Sequence, residues 1–500
     1  APMYKEPLCA ALFHIIPPNY RSKFILFAAN SIMTNSLDHF ERIFFIGIAG
    51  SGMSALAQYL QGIGKKVSGS DRFFVADQPN DTRDKLRNCG IECYVQDGSG
   101  INASTQLVVA STAVEDTVPE MQKAKQLGIT VIRRSELLTM ISATKKTIAV
   151  AGTSGKSTTS ALLFDILQYA GLQPSIISGA GLVRIMNEGL IGNAFVGTGE
   201  WLVIEADESD GSIVQYQPEI GLLLNIDKDH KEISTLLDLF TQFRNNSRHF
   251  IVNAGHPLSA SLSKDAKLDF SLQEGASAGY SATGFHQDGF ISRFLINNHP
   301  FTIPLPGRHN MENALAAVAV ARFLDVSWND CAAALAQYQG IYRRHQLIGH
   351  RNGIWLVDDY AHNPAKCAAS IRACQPLAER VIAWFQPHGF GPTRFLKQEF
   401  IDEIAAALRP GDEIWMSEIF YAGGTASRDI SAADIIEGIR EKGAQARFLP
   451  DRSALASVLI KEIYPGTVIL LMGARDPSLE NFARELWQSL QSHWQNNSAL

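Results

Sequence analysis

The heptapeptide Gly152-Thr153-Ser154-Gly155-Lys156-Ser157-Thr158 constrains the fold of this 500-residue chain more than any other segment. The apolar run Thr147-Ile148-Ala149-Val150-Ala151 before it reads as a buried strand, and residues 160–167 after it read as a helix. Strand, glycine turn with lysine, then helix is the layout of a triphosphate cradle. Glycines let backbone N–H groups approach the phosphates, and the helix N-terminus adds positive potential. In such a cradle Lys156 reaches the outer phosphates and the Ser157 hydroxyl touches Mg²⁺. The general pattern wants a glycine five residues before Gly155, where this chain has Val150, so the loop is a contracted Gly-x-x-Gly-Lys-Ser form. The plainer reading is a strand-turn-helix with a solvated lysine.

Five hundred residues exceed one core and suggest about three domains. At 46% hydrophobic and 19% charged, the composition is that of an ordinary globular protein. The net charge of −6 gives no basic excess for a nucleic-acid partner. No apolar run approaches the ~18 residues of a membrane span. Cysteines at 9, 89, 93, 331, 367 and 374 form no zinc pattern and read as reduced thiols of a cytoplasmic protein. Residues 1–32 have apolar patches but not a signal peptide's order, and are expected to be an accessory or non-native arm before a fold that starts near Met33. A truncation beginning at Met33 should then fold and stay active.

Along the chain, strand-like Ile43-Phe44-Phe45-Ile46-Gly47-Ile48 runs into Ala49-Gly50-Ser51-Gly52, then a helix and a second strand ending in Asp71. The Gly-x-x-Gly-x-Gly spacing is not the dinucleotide fingerprint, although Asp71 sits where an acid can hold a ribose. A nucleotide-diphosphate site and a tight turn packing a helix on a sheet are both open. Further strands are expected at 107–110 and 131–132, with a first domain of 33–142. In a second domain, 143–340, the strands at 201–204 and 220–226 end in Glu205-Ala206-Asp207-Glu208-Ser209-Asp210 and Asp227-Lys228-Asp229-His230. Acids at strand ends beside a phosphate loop suit Mg²⁺, and a solvated acidic loop is the alternative. Residues 255–300, polar and Gly/Ser/Asn-rich, are expected to form an irregular β region. A helix follows Gly307-Arg308-His309-Asn310, and Asn310 and Asn313 share its first turn, to bind a base or ribose or to cap the helix. A third α/β unit, 341–500, has strands near 355–359, 381–385, 413–416 and 468–471.

Taken together over about residues 40–490, these segments resemble the Mur ligases, the ATP-dependent amide ligases of peptidoglycan precursor synthesis. The marks are Phe45 to Met53 with Ser68-Gly69-Ser70-Asp71, the cradle, Glu205 to Asp210, Asn225-Ile226 with Asp229-His230, Gly307 to Asn310, Arg343-Arg344, Asp358-Asp359-Tyr360, and Phe385-Gln386-Pro387-His388. The subgroup most resembled adds L-alanine to UDP-N-acetylmuramate. The resemblance implies an α/β fold of three domains: Rossmann-like, P-loop ATPase-like and Rossmann-like. It implies ATP contacts at Gly152, Thr153, Ser154, Gly155, Lys156, Ser157, Thr158, Asn310, Asn313, Arg344 and Asp359. It further implies Mg²⁺ at Ser157, Glu205 and His230, and catalytic roles for Lys156, Glu205, His230 and Arg344. The UDP-sugar segment would be Gly47, Ala49, Gly50, Ser51, Gly52 and Asp71, and the amino-acid site would include His362 and His388. A monomer or homodimer is expected.

Other Mur ligases carry a carbamylated lysine about fourteen residues past the Asp-His pair. Arg244 stands there, as in the alanine-adding subgroup, which lacks that lysine. Three features depart from the subgroup: Ser154 replaces its histidine, Ala361-His362-Asn363-Pro364 replaces Gly-His-His-Pro, and Gly389 and Pro392 replace two arginines near the incoming amine. Arg394 matches a different family position. The implied reaction is attack of a substrate carboxylate on the γ-phosphorus of ATP, then attack of an amine on the acyl phosphate. A recycling ligase that attaches an intact tripeptide is the alternative within the fold. A nicotinamide oxidoreductase on residues 43–71 conflicts with the glycine spacing, and an inactive nucleotide-binding regulator conflicts with retained Lys156, Glu205, His230 and Asp359. Neither His362 nor His388 is singled out as the base.

Overall fold

The computed structural model describes residues 37–111, 114–227, 231–421, 427–476 and 478–497. The proposed arm 1–32, the start at Met33 and His230 lie outside them. The chain divides into two compact units that part between Lys146 and Thr147.

In the first unit, β1 (Arg42–Ile46), β2 (Lys66–Asp71), β3 (Glu92–Val95), β4 (Leu107–Ala110) and β5 (Thr130–Arg133) make a parallel sheet of order β3-β2-β1-β4-β5. Phe44, Phe45 and Ile46 of β1, and all of β4, are buried, as a central parallel strand covered on both faces requires. The order reverses between β1 and β4, and at such a switch point the loops diverge and leave a crevice beyond the strand ends. The glycine turn 47–52 leads from β1 into helix α1 (Ser51–Gly62) at that point.

The second unit holds the other two parallel-type sheets. One has the order β11-β10-β6-β9-β7-β8, built from β6 (Lys146–Ala151), β7 (Ser175–Ile177), β8 (Ala194–Phe195), β9 (Trp201–Ala206), β10 (Ile220–Leu223) and β11 (His249–Val252), with β8 antiparallel to β7. Helix α2 (Lys156–Tyr169) packs on it with α3 (Arg308–Phe323). From Ala314 to Ala321 every residue of α3 is fully buried. Its five alanines let the two helix backbones come close, and a helix apolar all round belongs in a core.

A four-stranded sheet follows: β12 (Phe270–Ser271), β13 (Tyr280–Asp288), β14 (Ile291–Ile296) and β15 (His299–Ile303). Of the region 255–300, expected to be irregular β, the part from Tyr280 onward is a regular antiparallel meander of β13 to β15, apart from one bulge between Thr283 and His286, while the short β12 pairs parallel with β13. β14 alternates strictly between exposed and buried residues, so its polar positions are the wet face of a half-buried strand. Asn297 and Asn298, at φ 44° and 66°, form the two-residue turn into β15.

The last sheet has the order β16-β17-β21-β18-β19-β20 and comprises β16 (Gln346–Arg351), β17 (Ile354–Asp359), β18 (Arg380–Gln386), β19 (Glu413–Met416), β20 (Gln445–Phe448) and β21 (Thr467–Gly473), with only β16 antiparallel. Alternate residues of β18 serve separate cores: Val381, Ala383 and Phe385 face one, Ile382 and Trp384 the other. Phe290, at the tip of the β13–β14 hairpin, is buried in the first of these cores and stacks on Trp355 at 5.6 Å. That insertion joins the middle and last sheets within one unit.

Candidate active site

The cradle is built as its sequence requires. Gly155 has φ 86°, a left-handed conformation that favours glycine, and a Cβ there would lie 2.5 Å from Asn313 Oδ1 and push that side chain aside. Asn225, just past β10, fixes the turn. Its Oδ1 accepts from the Ser154 amide (2.8 Å) and the Thr153 hydroxyl (2.9 Å), and its Nδ2 donates to the Ser154 carbonyl (3.1 Å). The Asp227 amide donates to Thr153 Oγ1 (3.0 Å).

Lys156 Nζ donates to the Gly152 carbonyl (2.6 Å) and to Glu208 Oε2 (2.8 Å), and Glu208 is only 4% exposed. Ser157 Oγ donates to Glu205 Oε2 (2.8 Å), while Glu205 Oε1 accepts from Ser178 Oγ and the Gly179 amide, both at 2.7 Å. A hydroxyl and a carboxylate at the start of α2 form a hard-oxygen set that fits Mg²⁺. Among the described residues no group of three or more His, Cys, Asp or Glu is arranged as a metal cluster.

Asn310 and Asn313 do not cap α3, whose N-cap is Gly307 without a side-chain cap bond. Asn310 donates to the Pro306 carbonyl (2.7 Å), Asn313 donates to Asn310 Oδ1 (3.3 Å), and Thr159 of α2 donates to Asn313 Oδ1 (3.3 Å). Both asparagines, residues 153–158 of the cradle, Glu205, Arg344 and Asp359 line one cavity of about 450 Å³. Asp359 ends β17 in a buried position; burial pushes its carboxyl up, but the neighbouring His345 and Arg344 together with hydrogen bonds from Ser370 and the His345 amide outweigh it and hold the carboxyl below the usual range. Arg344 lies over the Tyr360 ring at 5.4 Å, whereas Arg343 is buried against Asp358 (2.9 Å). Of the arginine pair, Arg344 therefore faces the cavity and Arg343 ties the segment to the last sheet.

A larger cavity of about 1510 Å³ adjoins the first, and Thr153, Ser154 and His362 line both. His362 Nδ1–H donates to the Tyr360 carbonyl (2.9 Å). Its ring centre is 5.8 Å from that of His388. Burial, with the neighbouring His362 and Arg475 charges, pushes the His388 imidazole down to about 4. Gly389 and Pro392 border this cavity without a cation. Arg394 pairs with Asp429, and Arg244 spends its guanidinium on the Leu262 and Ser263 carbonyls, holding a loop.

In the first unit, the Gly47 and Ile48 amides donate to the Ser70 carbonyl (2.8 and 3.1 Å), with Gly47 at φ 80°. Asp71 accepts from the Ala49 amide (2.9 Å) through Oδ2 and from the Phe73 amide (3.0 Å) through Oδ1. Buried, it pins the turn that contains Gly50, Ser51 and Gly52, and Gly50 caps α1 without a side chain. Sequence reasoning left out Glu208 as a partner of Lys156 and Asn225 as the clamp of the turn. Both stand at the ends of strands flanking β6, where the topology aims residues at the loop.

A phosphate loop closed from the side by an arginine and an aspartate of a separate sheet, with a second cavity sharing its wall, defines a nucleotide-dependent group-transfer enzyme. Family models match along the chain: "Mur ligase family, catalytic domain" over residues 42–146, "Mur ligase middle domain" over 150–321, and "Mur ligase, glutamate ligase domain" over 343–475. The chain belongs to the Mur ligase family. It is 35% identical to a UDP-N-acetylmuramate–L-alanine ligase of Synechococcus sp. (strain RCC307), over 91% of this chain and 97% of that one. It is 34% identical to the like-named protein of Geobacter sulfurreducens, over 90% and 96%. In fold it is similar to the UDP-N-acetylmuramate-alanine ligase of Thermotoga maritima, with a TM-score of 0.74 and 24% identity over 90% of this chain and 99% of that one. It is also similar to a murein peptide ligase of Psychrobacter arcticus 273-4, with a TM-score of 0.62 and 22% identity over 90% and 98%.

Proposed function

We propose that this chain is an ATP-dependent ligase that joins the carboxylate of UDP-N-acetylmuramate to the amine of L-alanine in peptidoglycan precursor synthesis. The observation that carries the reading is the shared wall: Thr153 and Ser154 of the phosphate loop also border the cavity of His362 and His388. A carboxylate activated at the γ-phosphate is then within reach of an amine held on the other side.

The substrate carboxylate oxygen attacks the γ-phosphorus, the bond to the β-phosphate oxygen breaks, and ADP leaves. The amine next attacks the acyl carbon and loses a proton, and inorganic phosphate departs. In this reading Lys156 and Arg344 neutralise charge on the transferring phosphoryl group, and the backbone amides of 152–158 orient it. Asn310, Asn313 and Asp359 contact the nucleotide. Ser157 and Glu205 would hold Mg²⁺, with His230 as a further ligand, and the bound ion would add charge neutralisation at the phosphates. Gly47, Ala49, Gly50, Ser51, Gly52 and Asp71 would hold the UDP part of the sugar substrate. The three working parts are residues 33–142, 143–340 and 341–500, in a cytoplasmic monomer or homodimer. Among the described residues no helix is long and apolar enough to cross a membrane.

The test is phosphate release from ATP with UDP-N-acetylmuramate, Mg²⁺ and a screen of L-alanine, L-serine, glycine and a tripeptide. The expected result is release that requires both the sugar nucleotide and an amine, fastest with L-alanine. Release that needs neither would sink the reading. The 1510 Å³ cavity and the cation-free Gly389 and Pro392 favour a second reading, attachment of an intact peptide, and a tripeptide preference in the same screen would select it.

A further inference from the structure

The geometry points to Arg475 as the residue that grips the α-carboxylate of the incoming amino acid, in place of cations that Gly389 and Pro392 do not supply. This rests on the ligase reading above. Arg475 follows β21, the strand hydrogen-bonded to β18, and so lies beside His388 at the C-terminal edge of the last sheet. It lines the larger cavity and not the phosphate cavity. Its side chain is exposed between two buried neighbours, Ala474 at 2% and Asp476 at 5%.

Among the described residues the Arg475 guanidinium makes no hydrogen bond or ion pair, and the other arginines of the region are occupied. Arg452 holds Asp476 (2.5 Å), so that carboxylate does not neutralise Arg475. Arg394 holds Asp429, and Arg428 lies over the Tyr421 ring at 4.0 Å. Lys366, the other strong cation lining the cavity, has a partner of its own. The acids Glu399, Asp402 and Glu403 that also border the cavity repel a carboxylate, which leaves Arg475 as the place for it. A vacant guanidinium fork matches a carboxylate with two parallel hydrogen bonds.

The backbone bears a cost for this placement. Arg475 has φ 62°, a left-handed conformation that a side chain bearing Cβ adopts only when its surroundings impose it. It stands between buried Ala474 and Asp476, whose carboxylate Arg452 holds. A glycine would adopt the conformation freely, so the position carries a strained arginine where an unstrained residue would serve the turn.

The experiment compares L-alanine with L-alaninamide, which lacks the carboxylate, in the wild type and in Arg475→Met, Arg475→Lys and Arg475→Gly. The wild type is expected to prefer L-alanine by about 100-fold in kcat/KM, the scale of a charged hydrogen-bonded pair. Arg475→Met should raise the KM for L-alanine by about 30-fold or more, leave the KM for ATP and UDP-N-acetylmuramate unchanged, and reduce the preference to within a few fold. Arg475→Lys should fall between. Arg475→Gly should lose the preference while melting no lower than the wild type, which separates substrate binding from folding. Retention of the preference in both Met and Gly variants overturns the assignment while the ligase reading stands. A rise in the KM for UDP-N-acetylmuramate alone would show that the arginine grips the sugar's carboxylate instead, and also overturns it. Phosphate release by the wild type without any amine overturns the ligase reading and this assignment with it.

Discussion

Lys156 and Glu208 form a nearly buried ion pair in the cradle, 2.8 Å apart. Removing one member of such a pair leaves an uncompensated charge out of water, which costs about 3–5 kcal/mol. Lys156→Ala is therefore expected to lose most turnover and also to lower stability in a denaturant melt. Lys156→Ala with Glu208→Gln should recover most of the stability and none of the phosphate release. A double variant with restored turnover would remove Lys156 from the proposed mechanism. At this scale the sequence was legible where chemistry and spacing coincide: Lys156, Ser157, Glu205 and both asparagines reach one cavity. It was not legible for Glu208 or Asn225, because an acid run or a lone asparagine does not say which strand end it will face. Arg475 was silent for a further reason, since a positive φ at a non-glycine residue is not encoded in residue type.

The phosphate-loop helix α2 carries a largely buried acid that the proposed chemistry does not use. Burial pushes the Asp165 carboxyl up to about 6, although Arg184 at 3.3 Å pulls the other way. An acid whose pKa is raised in the folded state binds a proton there before the unfolded chain does. Between about pH 6 and the ordinary carboxylate value, stability should then rise as pH falls, by on the order of 2 kcal/mol from this group. Asp165→Asn should flatten that slope in urea melts taken at pH 4.5, 6 and 8, and an unchanged slope would refute the assignment. Elements of repeated strand-turn-helix character were read correctly from their apolar runs. The meander of β13 to β15 was read as irregular because its wet face is polar and its β14–β15 turn is an Asn-Asn pair, although the alternation in Ile291–Ile296 carried the signal.

The largest-scale feature of the second unit is the insertion of Phe290 into the core of the last sheet. Because that core includes a side chain from the middle sheet's meander, residues 147–500 are expected to melt as one cooperative transition in calorimetry. Deleting a buried phenylalanine side chain costs about 3–5 kcal/mol. Phe290→Ala should lower the midpoint and split the transition in two, while a single transition at the wild-type midpoint would deny the insertion that role. Nothing in the sequence marked Phe290, since an aromatic at a hairpin tip gains its meaning only from a partner some 65 residues away. The wall shared by the two cavities has a thermodynamic corollary. Ligands on either side of Thr153 and Ser154 act on one backbone segment clamped by Asn225. By linkage, any factor by which nucleotide tightens or weakens the amine must equal the factor by which the amine changes nucleotide affinity. A change in equilibrium affinity measured from one side must therefore be matched by an equal change measured from the other.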